Sequence, residues 1–148
     1  MQVNLMKTRD TAKMPTRGSE EAAGADLYAC FDEGVECVSI LPNNTTLIPT
    51  GICMEIPDGY VGLVFPRSGL ATKQGLTLAN CVGVIDSDYR GEIGVALHNN
   101  STEVREVHNY DRIAQIVIMP YMKPDFHEQE TLCATTRGTG GFGSTGVQ

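Results

Sequence analysis

Clusters of proline, glycine and asparagine interrupt the sequence about every ten residues, a spacing typical of all-β sandwiches and barrels. The segments 42–44 (Pro-Asn-Asn) and 57–59 (Pro-Asp-Gly) are two of these turn signals. No stretch between them keeps a helical periodicity for long. The sequence therefore predicts an all-β single domain, a distorted jelly roll or β-barrel-like fold, with one short helix and a flexible C-terminal arm.

Five stretches have the pattern of strands. In two of them apolar residues alternate along the chain, which fits strands with one buried face. The last is an apolar run interrupted only by Gln115, which fits a buried strand, and Pro120 ends it. The stretches are 35–41, 47–56, 61–65, 93–98 and 113–119. The short helix is predicted over Ser68 to Gln74, with Gly75 capping its C-terminus.

Length and composition limit the classes of protein to consider. At 148 residues with 41% hydrophobic content, the chain has enough apolar residues for one domain with its own core. We expect the domain to span residues 1–135 and a glycine-rich arm to span residues 136–148. Its five cysteines form no close metal-binding pair, and the N-terminus lacks the apolar core of a signal peptide. These features predict a cytoplasmic protein, or one in the host cytoplasm or nucleus if viral, that is not secreted.

The charge of the chain indicates what kind of partner to expect. Its formal net charge of −7 argues against a nucleic-acid polymer, which needs a broad basic surface. A single nucleotide remains possible because a few arginines, backbone N–H groups and a divalent cation are enough to hold a triphosphate. We expect no membrane contact, since no apolar run approaches 18 residues.

The run from Gly83 to Ile93 carries the clearest chemical signal. Apolar residues flank a tip of acids, an aromatic and glycine, the pattern of a β-hairpin with a functional tip. Asp86 directly follows an apolar pair, so its carboxylate is predicted at the rim of a pocket, where it could polarise a water. Tyr89 offers a flat ring beside it, and Gly91 allows close approach. The alternative is an ordinary polar turn.

A second signal lies where a strand meets the predicted helix. Arg67 can form a bidentate fork with phosphate oxygens, Ser68 can cap the helix or bond a phosphate, and Gly69 permits close approach of the backbone. The alternative is a capped surface helix with a solvated arginine. Gln115 is a polar residue in an apolar strand and needs hydrogen-bond partners. The alternative to a role at the site is that it belongs to a structural hydrogen-bond network.

The glycine-rich tail has the spacing of two phosphate-binding patterns but fits neither. A P-loop needs lysine where Ser144 stands, and both patterns require a following helix, whereas the sequence stops at Gln148. The three histidines are scattered without ligand spacing. Asp26 lies in a run of small residues and, taken alone, reads as a turn or strand-edge carboxylate.

Taken together, these segments resemble the trimeric dUTPase (dUTP diphosphatase) family. Each motif alone is weak, but five in the family's order across most of the chain are specific. They are Ala23-Gly24-Ala25-Asp26-Leu27, Pro66-Arg67-Ser68-Gly69-Leu70, Gly83 to Glu92, Asp111-Arg112-Ile113-Ala114-Gln115 and the tail from Arg137 to Gly146.

The resemblance implies Mg²⁺-dependent hydrolysis of dUTP to dUMP and pyrophosphate, which keeps uracil out of DNA and supplies dUMP for thymidylate synthesis. It implies that Asp86 bonds the 3′-hydroxyl and serves as general base, with Tyr89 packed under the deoxyribose. Uracil would be read by backbone groups and one amide, from Gly83, Val84, Ile85, Gly94 and the side chain of Asn80.

The resemblance also assigns the triphosphate end. Arg67, Ser68 and Gly69 would grip the phosphates, and Gln115 would hold a phosphate or the attacking water. Asp26 would orient a water on Mg²⁺ without ligating the metal directly. The closing arm would supply Phe142 to stack on the base, with Arg137, Gly143 and Ser144 at the phosphates.

In this family three chains build each site, so the resemblance implies a homotrimer. Two other readings stay open at this point. One is an enzyme related to dCTP deaminase, which shares the fold but should lack the glycine-rich tail and carry a glutamate that activates water at the cytosine ring. The other is a regulatory or interaction protein on the same fold, in which catalysis is dispensable.

Overall fold

The structure, a computed structural model, describes residues 1–141. Within them lie eleven strands and one short helix. In chain order these are β1 (Asn4–Lys7), β2 (Ala25–Tyr28), β3 (Cys37–Ile40), β4 (Thr45–Pro49), β5 (Ile52–Glu55), β6 (Tyr60–Phe65), α1 (Ser68–Gln74), β7 (Leu76–Leu78), β8 (Gly83–Ile85), β9 (Gly94–Asn99), β10 (Arg105–His108) and β11 (Arg112–Pro120). The predicted all-β class is confirmed, and the fold is jelly-roll-like.

The described strands pair antiparallel in small sheets. A four-stranded sheet has the order β2-β11-β6-β8, and a three-stranded sheet has the order β4-β9-β7. Two further pairs, β1 with β5 and β3 with β10, complete the arrangement. The core between the sheets is mostly aliphatic, and Leu27, Ile40, Ile48, Leu97 and Ile113 are almost completely buried in it.

Alternation along β9 and the helix cap are both confirmed. The side chains of Val95 and Leu97 are 1% exposed and face the core, as does Ile93 just before the strand. The helix ends at Gly75, whose φ of 70° and N–H bond to the carbonyl of Leu70 form a left-handed cap.

The prediction of one strand over 47–56 is wrong. Two strands, β4 and β5, occupy this stretch, and they belong to different sheets. Gly51 separates them with a φ of 70°, and a Cβ there would lie only 2.6 Å from the Cβ of Ala12. The chain passes from one sheet to the other at Gly51, because glycine is the residue type that fits this space.

The predicted hairpin over 83–93 is also wrong. β8 pairs with β6 in the four-stranded sheet, whereas β9 pairs with β4 and β7 in the other sheet. Asp86 to Glu92 therefore forms a loop between two sheets, which we call the 86–92 loop. A turn begins the loop, with the Tyr89 N–H donating to the Asp86 carbonyl at 3.2 Å.

The last described strand ends at Pro120, where the apolar run was predicted to stop. Between residues 121 and 141 the structure contains no strand or helix, and most side chains there are exposed. The division at residue 135 stays a prediction. The residues 142–148, including Phe142, Gly143 and Ser144, lie outside the described part of the chain. Within that part, no helix has the length and apolar character needed to cross a membrane.

Candidate active site

A cavity of about 540 Å³ opens beside the 86–92 loop, and we call it the loop pocket. It lies between the two larger sheets, since its walls come from β4, β8, the 86–92 loop and the start of β9. The lining is largely apolar with two carboxylates. The lining residues are Leu47, Pro49, Val84, Ile85, Asp86, Tyr89, Glu92, Ile93 and Gly94.

Asp86 lies at the rim of the loop pocket, and its side chain is exposed. Among the described residues its carboxylate makes no hydrogen bond or ion pair, so both oxygens are available to a ligand or a water. Strand β8 ends at Ile85 and places the carboxylate one residue beyond the sheet. An unpaired carboxylate beside an apolar wall is able to accept a proton from a bound water.

Tyr89 lines the same pocket, and two contacts within the 86–92 loop hold its side chain in place. Its hydroxyl donates to the backbone carbonyl of Glu92 at 3.0 Å. The ring lies against Gly91, where a Cβ would come within 2.6 Å of the ring carbon Cζ. The sequence suggested that Gly91 allows close approach of another backbone or a ligand, whereas in the structure it accommodates the side chain of Tyr89.

The remaining residues assigned to the base lie along the strands around the pocket. Gly94 is paired with Pro49 across β9 and β4, and a Cβ on it would lie 2.8 Å from Leu47 Cδ1. Asn80 is exposed in the turn before β8, where its Nδ2 lies 3.6 Å from the position of a Cβ on Gly83. The Asn80 side chain thus borders the start of β8 and does not line the loop pocket.

A second group of polar residues lies at the start of α1 and along β2 and β11, and we call it the arginine cluster: Asp26, Arg67, Arg112 and Gln115. Asp26 Oδ1 accepts from Arg67 Nε at 2.9 Å, and Oδ2 accepts from Arg112 Nη1 at 3.2 Å. The Asp26 side chain is only 12% exposed. Both carboxylate oxygens are therefore engaged by guanidinium groups.

Arg67 has a second contact, because its Nη1 donates to the Arg112 carbonyl at 3.2 Å. Its Nη2 makes no hydrogen bond within the described residues, so one edge of the guanidinium remains open to an anion. Ser68 and Gly69 follow at the exposed start of α1, and a Cβ on Gly69 would meet no atom within 4 Å. Ser68 is the first helical residue, and the N-cap, Arg67, makes no side-chain capping bond.

Gln115 connects the arginine cluster to its neighbouring strands. Its Nε2 donates to the Pro66 carbonyl at 3.1 Å, and it is paired with Asp26 on one side and Phe65 on the other. A Cβ on Gly24 would lie 2.7 Å from Gln115 Oε1. This contact explains the glycine of the first motif, which the sequence alone left without a reason.

Sequence reasoning missed the group that anchors the 86–92 loop. Glu92 accepts from the Gly51 N–H at 2.8 Å, from Arg9 Nη1 at 2.8 and 2.9 Å, and from the Thr8 hydroxyl at 2.9 Å. Arg9 also donates through Nε to Asp32. The only hint in the sequence is an acidic residue immediately before the apolar alternation of β9, and nothing local identifies Arg9 as its partner.

Arg137 lies in the exposed segment after β11, and its Nε donates to the carbonyl of Gly140 at 2.8 Å. It lines neither the loop pocket nor the cavity beside Arg67. The structure therefore brings Asp86 and Tyr89 together at one place, and Arg67, Asp26 and Gln115 at another. Arg67 and Arg112 line a separate cavity of about 350 Å³.

The side chains of the arginine cluster are compatible with a Mg²⁺ ion bound through a substrate. The described residues do not form a site in which protein side chains alone ligate the metal. Among residues 1–141 no group of three metal-ligating side chains comes together. Asp26 offers a carboxylate whose oxygens already accept from two arginines. Because Mg²⁺ keeps several waters and binds readily to phosphates, Asp26 could contact its water shell without replacing it.

The comparisons of this chain with known proteins all point to one family. The family model for dUTPase matches residues 10–146. A deoxyuridine 5′-triphosphate nucleotidohydrolase of Desulfotalea psychrophila is 48% identical over 93% of this chain and 90% of its own length. One of Nautilia profundicola is 47% identical, covering 99% of each chain.

Solved structures agree with the sequence relatives. A mutant dUTPase of Staphylococcus bacteriophage 80alpha with dUpNHpp superposes with a TM-score of 0.85 at 28% identity, covering 99% of each chain. A mutant dUTPase from phage phi11 of S. aureus, described with a structural Mg(II) ion, has a TM-score of 0.76 at 26% identity. It matches over 88% of this chain and 98% of its own.

Proposed function

This chain is a member of the dUTPase family and hydrolyses dUTP, and we propose that its loop pocket binds the nucleoside while the arginine cluster binds the triphosphate. The products are dUMP and pyrophosphate. The single observation that carries this assignment is the loop pocket itself. There the carboxylate of Asp86, which has no partner among residues 1–141, and a fixed aromatic ring, Tyr89, line one apolar cavity.

Selection of the base depends on the strand edges at the pocket. Backbone groups of Gly83, Val84, Ile85 and Gly94, with the Asn80 amide, pair with uracil in the proposed complex. Cytosine presents the inverted pattern of donors and acceptors, so buried polar groups would be left unpaired. The close packing of Gly94 against Leu47 supports a narrow site that excludes the C5 methyl of thymine.

Selection of the sugar falls to Tyr89. A ring held by its hydroxyl bond to Glu92 and by contact with Gly91 presents a flat, fixed surface to the deoxyribose. A 2′-hydroxyl would collide with that surface, which excludes UTP. This role needs the ring to stay in place, and both contacts serve that purpose.

Asp86 is the proposed general base. It bonds the 3′-hydroxyl and accepts a proton from a water that attacks the α-phosphorus, with pyrophosphate as the leaving group. Base catalysis of this kind contributes about 10²–10⁴-fold. Support comes from its position at the pocket rim and from its lack of any partner among the described residues.

At the phosphate end, the open edge of Arg67, the Ser68 hydroxyl and the Gly69 N–H hold phosphate oxygens. Asp26 orients Arg67 through the 2.9 Å bond to its Nε. Gln115 is proposed to hold a phosphate or the attacking water with the part of its amide that Pro66 leaves free. Charge on the leaving group would be neutralised by a Mg²⁺ ion bound to the triphosphate.

We propose that the chain assembles as a homotrimer with sites shared between copies. Asp86 and Arg67 line separate cavities in a single chain, so the two halves of the site would have to meet across an interface. One face of the four-stranded sheet is apolar and only partly covered. On this face Val84 is paired with Leu63, Leu63 with Val117, and Val61 with Met119 in neighbouring strands.

The opposite face of that sheet, with Val64 and Ile116, is buried in the core. By contrast Val84 is 61% exposed and Met119 is 42% exposed. A strand that is apolar on both sides is normally covered on both sides, which supports this face as the contact between copies. The expected particle has a mass of about 48 kDa, three times the 16.0 kDa of the chain.

The glycine-rich arm, residues 136–148, is proposed to close over the bound nucleotide. Phe142 would stack on the base, and Arg137, Gly143 and Ser144 would reach the phosphates. The bond from Arg137 to Gly140 lies within the arm itself, so nothing among the described contacts ties this arginine to the strands. All five cysteines are free in the structure, which supports a cytoplasmic site of action.

The decisive measurement is release of pyrophosphate from dUTP, dTTP, dCTP and UTP, each with and without Mg²⁺. We expect release from dUTP alone at low substrate concentration, with strong dependence on the metal. Ammonia release from dCTP measured in parallel tests the deaminase reaction. Equal turnover of UTP or dTTP would contradict the assignment of the loop pocket, and unchanged turnover after chelation would contradict the role of Mg²⁺.

A further inference from the structure

The 86–92 loop connects two different sheets, so no strand ladder holds its two ends together. Its first end is fixed by β8, which pairs with β6. Its second end must be fixed by other means before β9 begins at Gly94. The position of Tyr89 depends on that second end, because its hydroxyl bonds to the carbonyl of Glu92.

Three groups from outside the loop hold the Glu92 side chain. Oε1 accepts from the Gly51 N–H and from Arg9 Nη1, both at 2.8 Å. Oε2 accepts from the Thr8 hydroxyl and again from Arg9 Nη1, both at 2.9 Å. We call this group the Arg9–Glu92 clamp. It joins the loop to the N-terminal segment and to the turn between β4 and β5.

The clamp is partly buried and electrostatically matched. The side chains of Arg9 and Glu92 are each 25% exposed. Burial by itself raises the pKa of Glu92, but bonds from the Gly51 N–H, Arg9 and Thr8 together keep that pKa below its ordinary value. The carboxylate is therefore strongly held as an anion, and its bonds are charge-assisted.

Other contacts of the loop are weaker or lie elsewhere. Arg90 reaches Glu55 at 3.8 Å, with both side chains more than half exposed, so this pair contributes little. Arg90 otherwise bonds to carbonyls of its own loop. Just beyond the loop, the Thr50 hydroxyl donates to the Ile93 carbonyl at 2.6 Å. Among the described residues, the loop's own side chains thus have one strong attachment to residues outside the loop, through Glu92.

We infer that Arg9 and Glu92 are positioning residues for sugar selection, because they fix the backbone carbonyl that holds the Tyr89 ring under the nucleoside. This inference rests on the proposed role of Tyr89 in the loop pocket. The proposed mechanism gives neither residue a part in the chemical step. The N-terminal segment, far from the chemistry in sequence, thereby determines how rigidly the pocket excludes a 2′-hydroxyl.

The test compares Glu92→Gln with Glu55→Gln. The first keeps the shape of the side chain and its bond from Gly51 but loses the charge that pairs with Arg9. The second removes the charge on β5 that faces Arg90 of the same loop at 3.8 Å, and it serves as the matched control. The readouts are kcat/KM for dUTP and for UTP, the melting temperature, and hydrogen exchange of peptides covering residues 84–94 without nucleotide.

For Glu92→Gln we expect the ratio of kcat/KM for dUTP over UTP to fall about threefold, as weakening of one charge-assisted bond allows. Exchange in residues 84–94 should be faster, and Glu55→Gln should match the wild type in both. Arg9→Lys keeps the charge but loses the fork to Glu92 and Asp32, so its ratio should lie between those of wild type and Glu92→Gln.

A folded Glu92→Gln protein with an unchanged ratio and unchanged exchange would overturn the inference. So would a loss of activity toward dUTP and UTP by the same factor, which a purely structural role predicts. Exchange is measured without substrate, so faster exchange with an unchanged ratio would keep the clamp but overturn its role in selection. Failure of the wild type to discriminate dUTP from UTP would instead contradict the proposed function.

Discussion

The loop pocket and the arginine cluster are stabilised in opposite ways. In the loop pocket the Asp86 carboxylate has no partner among the described residues. The Tyr89 ring is fixed by Gly91 and by its bond to the carbonyl of Glu92, whose side chain Arg9 holds. In the arginine cluster the functional charges bond to one another, with Asp26 taking both Arg67 and Arg112. The loop pocket is therefore formed without a ligand, whereas in the arginine cluster only one edge of Arg67 is open to an anion.

In the proposed trimer, this difference separates what one chain supplies from what a second copy would supply. A nucleoside can enter a cavity that one chain already lines. A triphosphate has much less to bind in one chain, namely one edge of Arg67 and the exposed start of α1. We therefore expect changes in the loop pocket to act on chemistry and selection, and changes at the arginine cluster and arm to act on phosphate binding and closure.

The largest expected effect is that of Asp86→Asn. The amide keeps a hydrogen bond to the 3′-hydroxyl but cannot accept a proton, so kcat should fall about 10²–10⁴-fold. The dissociation constant of dUMP, measured by calorimetry, should change little. A near-normal kcat would show that Asp86 is not the general base. The loop pocket could then no longer be distinguished from the arginine cluster as the site of the chemical step.

Deletion of residues 136–148 should come next. Without the arm the phosphates are less well aligned and water is less well excluded, so turnover should fall about a hundredfold. The melting temperature and the number of chains per particle should match those of the full chain, because the last described strand ends at Pro120. Equal turnover would exclude the arm from the mechanism, and a collapsed melting temperature would assign it a structural role.

Asp26→Asn tests the arginine cluster directly. The neutral amide removes the charge shared by the two guanidinium groups and keeps only one acceptor oxygen for them, so we expect a loss of about 1–3 kcal/mol in unfolding free energy. KM for dUTP should rise because Arg67 is no longer oriented. Denaturant unfolding and steady-state kinetics measure the two effects. An unchanged unfolding free energy would show that the two arginines are held by other contacts.

Tyr89→Ala should lower the selectivity for dUTP over UTP by about tenfold, since the space under the sugar opens. Tyr89→Phe is the matched control because it keeps the ring and loses only the bond to the Glu92 carbonyl. We expect its selectivity to lie between the alanine variant and the wild type. If the alanine variant keeps full selectivity, the ring does not discriminate the sugar.

The smallest effect concerns pH. The pKa of Glu92 is lower in the folded protein than its ordinary value of 4.5, so the unfolded chain takes up the proton first as pH falls. The stabilisation from Glu92 is fully present above that value and is lost as pH falls through the lower, folded pKa. Unfolding midpoints measured below pH 4.5 should depend less on pH in Glu92→Gln than in the wild type.

Several elements could be predicted because their signals are local. Turn residues separate the strands, Gly75 marks the end of α1, and the apolar run to Pro120 marks β11. Seven of the nine residues that line the loop pocket come from one continuous run, Val84 to Gly94, whereas Leu47 and Pro49 come from β4. Apolar patterning and turn chemistry act over a few residues, so they can be read without knowing the fold.

Other elements could not be predicted because distant residues decide them. Leu47 to Ile56 reads as one strand, and only the contact of Gly51 with Ala12 and Cys30 shows why it breaks. The run after Gly83 reads as a hairpin, and only the pairing of β8 with β6 and of β9 with β4 shows that it is a bridge between sheets.

The sequence by itself determined the all-β class, the motifs of the dUTPase family and the residue types at the site. These follow from side-chain chemistry and short-range periodicity. The tertiary structure alone decided that Asp26 is shared by two arginines, that Gly91 lies under Tyr89, and that Arg9 holds Glu92 across 83 positions of sequence. Such contacts depend on which sheet each strand joins, and that choice is made by packing of the whole core.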